Sequence, residues 1–135
     1  MVSDQLSGER RSEAFQDLKV FRLAYRLSLD VHRASLEWPK VEQFSGIADQ
    51  LRRASKSVCA LLVEGSARRG GSRREFERYL RMALGSADEA RLWCRYAEDL
   101  GYIPAERGQA WRASFQDVSR MLQGLLARQK NSPEH

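Results

Sequence analysis

Few side chains in this sequence are of a kind that does chemistry, and their spacing removes most options. There are two histidines, His32 and His135, and two cysteines, Cys59 and Cys94. A structural zinc site needs such ligands in close pairs, and these are scattered. A di-iron bundle needs Glu-x-x-His, whereas the residue three before His32 is Leu29. Gly70-Gly71 is not followed by Lys-Ser or Lys-Thr, and no dinucleotide glycine pattern occurs. Ser57 and Ser86 have no nearby base and read as small residues where helices cross. No enzyme activity, metal or cofactor is expected.

One constellation does have a chemistry of its own. Arg68, Arg69, Arg73 and Arg74 flank a Gly-Gly-Ser turn, and Arg78 and Arg81 continue the series. Spacings of four and three put Arg74, Arg78 and Arg81 on one helix face. A guanidinium fork grips phosphate or carboxylate in a bidentate way that lysine cannot match. The N–H groups of the adjoining helix start also favour an anion. The six arginines therefore read as a phosphate-contact ridge for RNA or DNA, with weak, salt-sensitive, sequence-tolerant binding. Glu75 and Glu77 dilute the ridge, and a solvated, self-paired face is the competing reading.

Total charge fits either reading. Lys plus Arg number 23 against 18 Asp plus Glu, a net charge of +5, and 19 of the 23 cations are Arg. A second set of charges reads as structural. Glu64 near a helix C-terminus opposes the macrodipole by up to ~1 kcal/mol, so it needs a compensating partner. Ion pairs are expected from Arg52 or Arg53 to Glu89, and from Glu64 to Arg68, Arg78 or Arg81. Such pairs fix register more than they add net stability.

The elements that must position these residues are helices. At 135 residues the chain makes one domain. Residues 1–14 and 131–135 are polar and aperiodic and read as flexible tails around a bundle over residues 15–130. The first helix spans about 17–36, with Asp17 as its cap. It carries two apolar stripes, Leu18, Phe21, Tyr25, Leu29, His32 and Leu36 beside Val20, Leu23, Ala24, Leu27, Val31 and Ala34. The second helix spans about 41–66. The third opens with a capping box, Ser72-Arg73-Arg74-Glu75, and ends at Gly101, a good residue for the left-handed position after a helix. Its inner stripe is mostly alanine, and a second stripe holds Tyr79, Met82, Trp93, Tyr96 and Leu100. The fourth spans about 104–130.

Short connections make neighbours antiparallel, so the fold class is all-α, an antiparallel up-down-up-down four-helix bundle. Trp38, Trp93 and Trp111 read as packing residues, and His32 as a satisfied interfacial histidine. The cysteines read as buried thiols of a cytoplasmic protein. The N-terminus has no apolar secretory core. The longest aliphatic-or-Cys run, Val58 to Val63, is far short of a membrane span of ~20 residues. The surplus apolar stripes on the first and third helices predict a homo-oligomer with bundles side by side. A homo-oligomeric scaffold for protein partners, with no nucleic-acid role, is the alternative function.

Several motifs stand in a recognisable order. Asp17-Leu18-Lys19-Val20-Phe21 opens the first helix, and WPKVEQFSGI (residues 38–47) makes the first turn. QLRRASKS (50–57), Val63-Glu64-Gly65, Arg68, Gly85-Ser86, Glu89 and Leu100-Gly101-Tyr102-Ile103 follow. Over residues 15–128 this resembles the bacterial four helix bundle protein family. Its members are also called intervening-sequence proteins, because some are encoded in insertions within large-subunit ribosomal RNA genes. The resemblance implies an up-and-down bundle that assembles as a homopentameric ring, in a family with no established enzymatic activity. A more distant relative, the accessory protein of diversity-generating retroelements, engages a reverse transcriptase and nucleic acid through a basic surface. In the second helix the family's usual Pro-Ala-Asn-Ile-Ala run is replaced by Cys59-Ala60-Leu61-Leu62-Val63, so an amide role gives way to packing.

Overall fold

A computed structural model of the chain describes residues 18–68 and 71–130. The two expected tails, the expected cap Asp17 and ridge residue Arg69 lie outside the described residues. Four helices follow one another: α1 (Lys19–Ser35), α2 (Ile47–Ala67), α3 (Arg73–Asp99) and α4 (Ala105–Lys130). One 3-10 turn, Lys40–Glu42, sits between α1 and α2, and there is no strand among the described residues.

Side-chain pairs give the topology directly. Ser35 meets Arg52 and His32 meets Lys56, so α1 and α2 are antiparallel. Ser57 meets Ser86 across α2 and α3, Asp88 meets Ser119 across α3 and α4, and Asp30 meets Trp111 across α1 and α4. Each helix packs on its two neighbours round a square, with α1–α3 and α2–α4 on the diagonals. The architecture is the expected up-down-up-down bundle.

The core is built from one stripe per helix. Val20, Ala24, Leu27 and Val31 of α1 face Leu51, Ala54, Val58 and Leu62 of α2 and Phe115, Val118 and Leu122 of α4. The alanine stripe of α3 (Ala83, Ala87, Ala90 and Ala97) is fully buried, and its small side chains let α3 lie against both α2 and α4. Gly65 serves the same end on α2: a Cβ there would stand 2.9 Å from Tyr79 Cβ. The other stripes are only partly exposed, with Leu18, Phe21 and Trp93 packed against the core. Tyr25 of α1, Leu36 just past its end, Met82, Leu92 and Tyr96 of α3 and Leu100 just past its end are exposed, whereas Tyr79 of the expected outer α3 stripe is buried.

Helix α2 begins at Ile47 rather than at the expected Val41. Hydrogen bonds explain the difference. Glu42 reaches from the 3-10 turn to accept the Ile47 N–H at 2.9 Å, capping α2 from outside. Ser45 adopts a left-handed φ of 62° and Gly46 is extended, which breaks any helix through 41–46. The turn leaves Val41 and Phe44 79% and 87% exposed.

At the C-terminus of α3, Gly101 takes a φ of 78° and closes a Schellman motif, with Tyr102 N–H to Ala97 O at 2.9 Å and Gly101 N–H to Glu98 O at 3.1 Å. This aims Tyr102 at the first turn, where its hydroxyl donates to Glu42 Oε2 at 2.6 Å.

Candidate nucleic-acid interface

The α2–α3 turn is the arginine-rich end of the bundle. Ser72 accepts the Glu75 N–H at 3.0 Å, starting α3 as the sequence implies. The Glu75 carboxylate turns outward, to Arg78 Nη2 at 3.3 Å. Glu77 lies between two cations, 3.5 Å from Arg73 Nε and 3.4 Å from Arg81 Nη2. Arg68 and Arg78 rest against the buried Tyr79 ring, 5.4 and 5.2 Å from its centroid. A ring quadrupole stabilises a cation without neutralising it. Arg74 has no carboxylate within salt-bridge reach among the described residues. Among the described residues this end therefore carries five arginines against Glu64, Glu75 and Glu77, and keeps a net positive charge.

The expected structural ion pairs do not form. Arg52 points to α1, where Nη1 donates to Ser35 Oγ at 2.7 Å and Nη2 to Gln43 Oε1 at 2.9 Å. Arg53 pairs with Asp49 one turn back at 3.0 Å. Glu89 accepts from Trp93 Nε1 at 3.1 Å on its own helix. Glu64 is exposed, and none of Arg68, Arg78 and Arg81 lies within salt-bridge reach of it among the described residues. The physical reason is rotation: adjacent positions on a helix differ by about 100°, and the buried stripe of α2 turns Arg52 toward α1 and Arg53 to solvent.

Other pairs, which the sequence reading did not name, cross between helices. Arg112 of α4 forks onto Glu98 of α3 at 3.0 and 3.2 Å. Arg107 of α4 meets Asp30 of α1 at 2.7 Å, and Trp111 Nε1 donates to the same carboxylate at 2.6 Å. Gly108 makes room for the first: a Cβ there would collide with Glu98.

The groups that could do other chemistry are tied up. Burial raises the Cys59 thiol to about 11 and Cys94 to about 12, so neither is a ready thiolate. His32 lies at the α1–α2 crossing, 2.9 Å from Lys56 Nζ. Its pKa is pushed down first by burial and then by Lys56, Arg52 and Arg33. No group of three or more metal-ligating side chains exists among the described residues. No described helix is long and apolar enough to cross a membrane.

Comparison with known proteins gives the family. The family model described as 23S rRNA-intervening sequence protein matches residues 16–124. The chain belongs to that family. Four solved chains match it. One is a protein of unknown function from the S23 ribosomal protein family of Bacteroides thetaiotaomicron VPI-5482, with 18% sequence identity and a TM-score of 0.68. The match covers 79% of this chain and 97% of that one, and at this identity it shows a shared fold. Among curated proteins there is no match. Of the replaced run of the second helix, Leu62 is buried and Cys59 and Leu61 pack against the core, whereas Ala60 and Val63 are exposed.

The sequence reading missed a second basic surface. Lys19, Arg22, Arg26 and Arg33 form a row on α1. Its signal was available: spacings of three, four and seven on a helix with one carboxylate. A third set, Arg91, Arg95 and Arg112 in the groove between α3 and α4, is matched one for one by Asp88, Asp99 and Glu98.

Proposed function

We propose that this intervening-sequence protein is a non-catalytic, self-associating bundle of the cytoplasm that binds RNA or DNA weakly. Its arginine-rich α2–α3 end is the contact surface. The observation that carries this reading is the imbalance there among the described residues: Arg68, Arg73, Arg74, Arg78 and Arg81 against Glu64, Glu75 and Glu77. Free Cys59 and Cys94 suit a reducing compartment. Assembly as a homopentamer, which the family resemblance implies, would repeat the basic end around a ring and raise avidity.

The test is a gel-shift titration with single-stranded RNA and DNA at low salt. The wild-type protein shifts both, and binding falls steeply toward physiological salt. Reversing Arg69, Arg73 and Arg74 to Glu weakens it. No shift at low salt, or an unchanged shift with the reversed variant, overturns the assignment to this surface.

The exposed α3 stripe, Met82, Leu92, Tyr96 and Leu100, favours a second reading as a homo-oligomeric scaffold for protein partners. An apolar interface of that kind holds as salt rises. Sedimentation as single subunits at micromolar concentration removes the scaffold and the ring together.

A further inference from the structure

The basic surface with the fewest internal partners is on α1, not at the α2–α3 end. At 100° per residue, Lys19, Arg22, Arg26 and Arg33 fall within a sector of about 60°, opposite the Val20–Val31 stripe. Arg22, Arg26 and Arg33 are exposed, as is Lys19, and none has a carboxylate within salt-bridge reach among the described residues. The single carboxylate of α1, Asp30, is taken up by Arg107 and Trp111 of α4. Across the α1–α2 crossing, Lys56 adds a fifth cation whose contact is the neutral ring of His32. Arg52 behind it is held by uncharged Ser35 and Gln43. Burial first, and then Lys56, Arg52 and Arg33, lower the pKa of His32 beside this face.

Beside this row runs an aromatic one. Phe21 and Tyr25 are stacked, with centroids 5.9 Å apart and planes 9° from parallel, and Tyr25 is half exposed. A row of cations with one exposed ring beside it matches the chemistry of a single nucleic-acid strand, whose phosphates take the charges while a base takes the ring face. An acidic protein helix would use the cations and leave the ring without a role.

We infer that the outward face of α1, joined by Lys56, is a track for single-stranded RNA or DNA, with Lys19, Arg22, Arg26 and Arg33 on phosphates and Tyr25 under a base. The row extends about 21 Å along the helix. It starts at the end of the bundle that holds the α2–α3 turn, because α1 and α2 are antiparallel. A strand gripped at that turn has this face as its continuation. The inference rests on the nucleic-acid reading above and names the path.

The experiment is fluorescence anisotropy with a labelled 20-nucleotide oligo-uridine across a salt series. It compares wild type, the α1 triple Arg22→Glu/Arg26→Glu/Arg33→Glu, and the α2–α3 triple Arg69→Glu/Arg73→Glu/Arg74→Glu. The α1 triple is expected to bind at least about tenfold more weakly, with a log–log salt slope shallower by about 2, at about 0.7 for each phosphate no longer neutralised. The neutral triple Arg22→Gln/Arg26→Gln/Arg33→Gln repeats the slope change should reversal disturb folding. Tyr25→Ala is expected to weaken the oligonucleotide several-fold and leave competition by inorganic polyphosphate unchanged.

If wild type binds and both α1 triples bind as well as it does, the track is wrong and the α2–α3 end stands alone. If wild type does not bind at low salt, the nucleic-acid reading fails and the track with it. If Tyr25→Ala affects polyphosphate and oligonucleotide equally, or neither, the face is a general anion surface and the strand assignment is overturned.

Discussion

At one end of the bundle, where α1 meets α2 and α3 meets α4, polar side chains have fixed partners. At the other, the α2–α3 turn, Arg68, Arg74, Arg78 and Arg81 face water. Gln43 at the first end donates to Ser35 O at 2.8 Å and Trp38 O at 3.1 Å, and Arg52 closes onto Gln43 and Ser35. Trp38 lies against both Tyr102 and Trp111, with centroids 5.8 and 6.4 Å away. Arginine there is an internal brace. At the α2–α3 turn the same residue type is held by half-buried carboxylates one turn away, or by a ring face. A guanidinium that satisfies a neighbour's backbone and hydroxyl groups has little left for a ligand. One that lies in water retains its donors. The difference separates where this fold stores stability from where it can bind.

The largest effect that could break this contrast is at Trp111. It is buried, packs on Trp38 and donates to Asp30. Trp111→Ala is expected to lower unfolding free energy by about 3–5 kcal/mol in urea titration. A loss below about 1 kcal/mol would mean that the braced end is not the stable one.

The intermediate effect is at Glu42 and depends on pH. The Tyr102 hydroxyl first, and the Ile47 N–H second, lower the Glu42 pKa, against a smaller opposing effect of burial. A carboxyl whose folded pKa is depressed stabilises fully above its unfolded value, here about 4.5. That stabilisation is lost as pH falls through the folded pKa. Wild-type stability should therefore decline on acidification below about pH 4.5. Glu42→Gln, about 1 kcal/mol less stable at neutral pH by the usual worth of such a bond, should show a shallower acid decline. Parallel acid profiles for the two proteins would show that Glu42 does not brace this end.

How much of this could be seen in the sequence depended on whether the signal was local. The start of α3 at Ser72 and its end at Gly101 rest on cap chemistry within a few residues, and both hold. The alanine stripe of α3 and the Val20–Val31 stripe of α1 are periodic, and both are core. The start of α2 was misplaced because its cap, Glu42, acts from a separate turn and is aimed by Tyr102, sixty residues away. The ion pairs were misplaced for a related reason. Arg52 and Glu89 sit at matching heights on neighbouring helices, but height does not give rotation, and α2 turns Arg52 toward α1 instead. Of the candidate interface, Arg74, Arg78 and Arg81 were legible as a row. Their pairing with Glu75 and Glu77 was legible as a dilution, and the Tyr79 ring beneath Arg68 and Arg78 was not. Gly65, which lets that ring come close, is meaningful only once α2 and α3 are docked.

The smallest effects lie at the open end and sharpen the contrast from the other side. Arg74→Ala removes a side chain with no carboxylate partner among the described residues and should move the unfolding midpoint by no more than the ±0.5 kcal/mol typical of surface sites. Arg78→Ala removes two weak interactions, the Glu75 pair, whose side chains are 59% and 40% exposed, and the Tyr79 ring face. An exposed pair contributes about 0.2–1 kcal/mol, and an exposed cation–ring interaction about 0.5–1. These overlap, because one guanidinium makes both and loses its freedom once. Arg78→Ala should therefore cost more than Arg74→Ala in paired urea titrations, yet far less than Trp111→Ala. The pairing is also salt-dependent, so the gap between the two arginine variants should narrow as salt rises. A loss at Arg74 as large as that at Trp111 would mean that the α2–α3 end is braced as well, and its arginines would then be committed to the fold rather than held out for a polyanion.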